Sequence, residues 1–172
     1  KYQEFASHLA ANYDVVLASI IKKECKRSRD YDSHLLAIDV KTGKKKFETP
    51  VEDTKYSVKL INGIIDEETG NAVLFGLYTN KDDKAMKSTL GLCSYVVDMT
   101  GKIVNRSYAS WTKEVSQFIP ASDRGNLKDV GYIYFHDIVQ SADGKILAAG
   151  EFFKKKASAL GIASQVMGGG GT

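Results

Sequence analysis

The chain has 172 residues, 43% of them hydrophobic and 26% charged, with a formal net charge of +3. Those values set an expectation of one globular domain with a real core, and a charge so small gives no reason by itself to expect a nucleic-acid partner. No run approaches the roughly 18 consecutive apolar residues of a membrane helix, and 2 Pro against 15 Gly sets aside a proline-rich linker protein.

Taken in order, Tyr2, Phe5, Ala6 and Leu9 fall at helical spacing and predict a short helix or turn within residues 1–12. Asp14–Ile21 is a compact, β-branched apolar run, the pattern of a strand covered on both faces. After a polar stretch, Lys22–Asp32, the next strand is Ser33–Val40; Thr42 and Gly43 turn the chain into the polar strand Lys44–Val51. Pro50 confines that strand to an edge or an end. A second pass follows: strand Ser57–Ile65, turn Asp66–Asn71, buried strand Ala72–Thr79, loop Asn80–Leu90, strand Gly91–Met99, turn Thr100–Gly101 and polar strand Lys102–Trp111. A short helical turn is expected around Val115, Phe118 and Ile119, stopped by Pro120. Asp129–Phe153 reads as a hairpin turned at Ser141–Gly144, and residues 154–167 as a small helix before the run Gly168–Gly171.

Fixed offsets tie these pieces together. Val15 to Val73 and Gly43 to Gly101 are both 58 residues apart; Gly70 to Gly144 and Gly76 to Gly150 are both 74 apart. The difference falls in the loop 112–130, where insertions are tolerated. The repeating unit is an antiparallel four-stranded meander with apolar inner strands and a polar last strand, as a β-propeller blade needs at its exposed edge. The fold expected is therefore all-β over 1–172: a partial β-propeller of about two and a half blades with one or two short helices. Residues 14–51 form a partial blade, 57–111 a full one, 131–153 the start of a third, and 154–172 a helix and glycine-rich tail. A β-sandwich is the alternative.

DIVQSADGKILAAGEFF, LLAIDVKTGKKKFETP and SYVVDMTGKIVNRSY resemble the blades of secreted β-propeller proteins from Bacteroidetes. KTGKKKFETPVEDTKY, GYIYFHDIVQSADGKILAAGE and SALGIASQVMGGGG resemble, more closely, the middle of a larger uncharacterised bacterial family. That likeness implies no activity and no catalytic residues. It implies an extracytoplasmic protein (periplasmic, outer-membrane-associated or secreted) of which this chain is an internal piece, partnered by the rest of the parent chain or by another subunit.

Candidate chemistry is sparse. His136 and Asp137 are consecutive in a strand, so their side chains are expected on opposite faces, His136 with Tyr132 and Tyr134. His8, His34 and His136 lack metal-ligand spacing, and neither Asn80–Lys84 nor the glycine run matches a calcium or phosphate loop. No metal or cofactor is expected. Ser141–Gly144 is similar to the Asp-box turn of sialidase-like propellers but lacks its Thr-Trp. Cys25 and Cys93 leave pairing open, with two free thiols the simpler reading.

Charge placement says more. The loops joining second to third strands should emerge at one end of the fold. They hold Lys22, Lys23, Lys26, Arg27 and Arg29; Lys81, Lys84 and Lys87; and Lys154, Lys155 and Lys156, against Glu24, Asp30, Asp32, Asp82 and Asp83. Asp66, Glu67, Glu68 and Asp143 belong to the opposite end. Two readings of the basic residues stand: a face for an anionic partner (acidic glycan, lipid headgroup or acidic protein), or lysines that keep turns soluble. The function expected is a non-catalytic binding or scaffold module. The enzyme alternative places Asp129, Asp137 or Glu151 in a hydrolase channel whose other groups come from further blades.

Overall fold

The structure is a computed structural model and describes residues 2–28, 31–51, 53–82, 89–118 and 132–153. It is all-β and antiparallel. One sheet runs in the order β1 (Tyr2–Ala11), β2 (Val15–Lys23), β3 (Tyr31–Asp39), β4 (Lys45–Pro50). A second runs β5 (Tyr56–Ile65), β6 (Ala72–Asn80), β7 (Gly91–Val97), β8 (Ile103–Ser110), and a two-stranded third pairs β9 (Tyr132–Gln140) with β10 (Ile146–Phe153). Each sheet is a meander of consecutive strands. The first strands stand together, β1 against β5 and β5 against β9.

Residues 1–12 give a strand where helical spacing predicts a helix or turn. β1 shifts register against β2 twice, between Phe5 and Ser7 and between His8 and Ala10. Each bulge inserts a residue into the two-residue alternation, so Tyr2, Phe5, Ala6 and Leu9 do not keep the single parity by which one face of a regular strand is recognised. β1 thus joins the 14–51 segment as the first strand of a four-stranded unit. The turn expected near Val115 is a single 3-10 turn, Val115–Gln117, with Phe118 exposed just after it. Ile119, Pro120 and the helix expected within 154–167 lie outside the described residues.

The register reveals a repeat finer than the offsets. In β1 the second bulge lies opposite Leu17 and Ala18; in β5 a bulge between Leu60 and Asn62 lies opposite Phe75 and Gly76; in β9 one between Phe135 and Asp137 lies opposite Ala149 and Gly150. Ala18, Gly76 and Gly150 are therefore equivalent, and so are Ala10, Asn62 and Asp137. Asn62 and Asp137 even make the same contact, each carboxamide or carboxylate oxygen accepting the next residue's N–H, at 2.8 and 2.9 Å.

The core lies between the first two sheets. Cross-strand partners share a face, so the side of sheet one carrying Val15, Leu17, Leu35 and Ala37 packs on the side of sheet two carrying Ala72, Leu74, Tyr78, Cys93, Tyr95 and Val97. Burying such side chains contributes about 1.5–3 kcal/mol each. Ser33 stitches the interface, its hydroxyl donating to the Val58 carbonyl at 2.9 Å. At the far edge Thr49 donates to the Gly101 carbonyl at 2.7 Å. Gly101 has φ +90°, and a Cβ there would meet Thr49 Oγ1 at 2.6 Å and Phe47 at 2.7 Å, so turn and approach both require glycine. Trp111, fully buried, closes the end of sheet two and donates from its indole to Thr89 Oγ1 at 3.0 Å.

Candidate functional site

The meanders send their turns to two ends of the fold. At one end are the turns 12–14, 40–44, 66–71, 98–102 and 141–145; at the other, the β2–β3 and β6–β7 loops.

The first end is built on carboxylates that serve their own turns. Asp39 accepts from the Thr42 hydroxyl and N–H, both at 2.8 Å. Asp98 takes the Thr100 hydroxyl at 2.6 Å and the Thr100 and Lys102 N–H groups at 2.9 and 3.0 Å. Asp66 takes the Thr69 hydroxyl at 2.6 Å and the Gln140 amide at 2.8 Å. Gln140 in turn accepts from Glu67 N–H, so the β9–β10 pair is clasped to the β5–β6 turn. Hydrogen bonds to the ionised form hold Asp39, Asp66 and Asp98 below the ordinary carboxylate range, led by the side-chain donors Thr42, Thr69 and Thr100. Asp143 is lowered too, first by Lys145 and then by Ser141.

At the other end the structure describes five of the eleven basic residues singled out above. Lys26, Arg27 and Lys81 are exposed, together with Glu24 and Asp82. Lys22 and Lys23, at the end of β2, are engaged: Lys22 pairs with Glu48, which also pairs with Lys45, and Lys23 pairs with Glu4 at 3.0 Å. Hydrogen bonds from Lys22, then Lys45, lower Glu48 against the burial that would raise it. His34 Nδ1 stands 3.4 Å from the same carboxylate. Arg29, Lys84, Lys87, Lys154, Lys155 and Lys156 lie outside the described residues.

His136 occupies the β9 bulge, 3.3 Å from Glu151 through Nε2 and edge-on to Tyr134 with ring centroids 5.0 Å apart. Asp137 instead turns to the Ile138 N–H. The two carboxylates named for a hydrolase thus take different partners, and Asp129 lies outside the described residues. Among the described residues no three His, Cys, Asp or Glu side chains gather as a cation site requires. Cys25 is exposed, Cys93 buried, and both are free thiols; burial pushes the Cys93 thiol up to about 12.

Two features arise only from tertiary structure. A cleft of about 460 Å³ opens between the C-terminal ends of β1 and β5, lined among others by His8, Ala10, Ala11, Asn62, Gly63 and Glu67. It lies where Ala10 replaces the larger Asn62 and Asp137 of the other repeats. The second is a tyrosine cluster on the covered side of sheet two: the Tyr56, Tyr78 and Tyr108 rings meet pairwise at 4.8–5.0 Å. Tyr108 donates to Asp53 at 3.0 Å, so its 2.8 Å contact with the Tyr95 hydroxyl is donated by Tyr95. The chain of hydroxyls anchors the β4–β5 connection. Burial raises Tyr78 and Tyr95 to about 12 and Tyr108 further.

No curated protein and no solved structure matches the chain. A family model described as a family of unknown function (DUF6770) matches residues 1–172, and the chain belongs to that family.

Proposed function

We propose that this chain is a non-catalytic binding or scaffold module, a β-propeller segment of an extracytoplasmic bacterial protein of Bacteroidetes type, which turns its basic loop end to an anionic partner. The stacking of sequential meanders with their first strands side by side supports the propeller reading. The observation that carries the partner reading is the division of labour among the cations. Lys22 and Lys23 are held by carboxylates along the sheet, whereas Lys26, Arg27 and Lys81 project from two loops at one end. The acidic turns sit at the opposite end, which orients an approaching anion.

The experiment is retention on a sulfated polysaccharide matrix and co-sedimentation with anionic vesicles, for the natural chain and for Lys26→Glu/Arg27→Glu/Lys81→Glu. Retention that weakens with salt and is lost in the triple variant supports the reading, and the matrix and vesicle arms distinguish glycan from lipid. Equal behaviour of the two proteins on both probes refutes it.

A further inference from the structure

We propose that Asn62–Gly63 is a self-modification site: the Asn62 amide is lost through a cyclic imide, leaving an aspartyl or isoaspartyl residue on the wall of the β1–β5 cleft. It is the chain's one Asn-Gly pair.

The fold sets the reaction up. The Gly63 N–H donates to Asn62 Oδ1 at 2.8 Å, which holds the side-chain carbonyl carbon beside the nitrogen that attacks it. The pair follows the β5 bulge between Leu60 and Asn62, where the ladder is interrupted, and it lines the cleft, so water reaches it. Packing imposes the glycine: a Cβ on Gly63 would meet Leu74 Cδ2 at 2.6 Å and the Val73 carbonyl oxygen at 3.0 Å. The attacking nitrogen therefore has no side chain beside it to shield it.

The steps balance with water as the one co-reactant. The Gly63 nitrogen yields its proton to hydroxide and bonds to Asn62 Cγ; the side-chain nitrogen takes a proton from water and leaves as ammonia. Water then opens the imide at either carbonyl, giving aspartate or isoaspartate, and no atom changes oxidation state.

The other repeats show why the reaction selects this position. At the equivalent place Asp137 Oδ1 accepts the Ile138 N–H at 2.9 Å, so an aspartate fits the bulge. Ile138 crowds that nitrogen, however, and an ionised carboxylate is a poor electrophile. Asp143–Gly144 has the glycine, but the Gly144 N–H turns to the Ser141 carbonyl at 2.9 Å, and Ser141 and Lys145 hold the carboxylate. Aspartate at position 62 keeps β5 intact. Isoaspartate adds a methylene to the backbone between Leu60 and Ile65, both in the core. Either product lowers the formal net charge of +3 by one and adds a carboxylate to a cleft already lined by Asp66 and Glu67.

The test incubates the full chain in neutral and in mildly alkaline buffer, followed by peptide mapping and by labelling with an isoaspartyl methyltransferase. The Asn62 peptide converts from amide to acid and takes up label at least about tenfold faster than any other Asn peptide. Alkaline buffer speeds it, because the attacking nitrogen must lose its proton. The native rate stays within about tenfold of that in the guanidinium-unfolded chain. Asn62→Gln, whose extra methylene slows ring closure, loses the label, and the Asp137–Ile138 peptide never gains it. A native rate below that range, acid at Asn62 without isoaspartate, or label kept by the Asn62→Gln protein overturns the proposal. Mapping the natural chain decides the first two outcomes without reliance on any variant.

Discussion

Replacing Tyr108 by Phe removes one hydroxyl and two hydrogen bonds while leaving the ring against Tyr56 and Tyr78. The bond to Asp53 has an ionised acceptor, a kind that contributes about 1.5–3 kcal/mol, and the neutral one from Tyr95 contributes about 0.5–1.5 kcal/mol. The site is only partly buried, so water replaces some of what is lost, and a net destabilisation of about 2 kcal/mol follows. In a chain of this length that lowers Tm by roughly 4–8 °C. The pH dependence supplies an internal control. Burial works to raise the Asp53 carboxyl, but the Lys55 N–H, the Tyr108 hydroxyl and the Arg106 charge outweigh it and leave it below 3.8. A carboxyl lowered on folding stabilises above its unfolded value, and that contribution is lost as pH falls through the folded one. Without the Tyr108 donor the folded value moves back up, so the difference between the natural chain and the Tyr108→Phe variant is full at pH 7 and shrinks below about pH 4. Urea unfolding at about pH 7 and pH 3 measures both. A loss under about 0.5 kcal/mol at pH 7, or the same loss at both pH values, refutes the hydroxyl chain as a structural anchor.

Trp111→Ala leaves a cavity at the closed end of sheet two and orphans the Thr89 contact, and should cost about 3–5 kcal/mol in urea unfolding; a cost under about 1 kcal/mol would show the end collapsing around the gap. The thiols should separate cleanly. At pH 8 a soluble disulfide reagent titrates Cys25 in the native chain and reaches Cys93 only after denaturation, because Cys93 is buried and its thiol is pushed up to about 12. Two thiols reacting at one rate in the native chain would contradict the packing of β7.

Strands β2 to β8 were legible because their apolar runs are bounded by turn residues, and the 58-residue offset from Val15 to Val73 relates two of them. β1 was not, because two bulges break the alternation by which a strand is recognised. The β2–β3 and β6–β7 loops could be assigned to one end from strand order alone. That Lys22 and Lys23 are held by Glu48 and Glu4 could not, since Glu48 sits on β4, across β3 from β2, and Glu4 on β1, far away along the chain.

By itself the sequence determined the all-β class and the order of the meanders, which follow from local periodicity, turn chemistry and topology. Only the tertiary structure decided that Ala10, Asn62 and Asp137 occupy one position in three repeats, that β1 and β5 enclose a cleft, and that Tyr95, Tyr108 and Asp53 form a chain. The reason is physical. A bulge is a mismatch between two strands, and a cleft or a hydroxyl chain is a meeting of residues from different strands, so none of them exists until the pairing register is set.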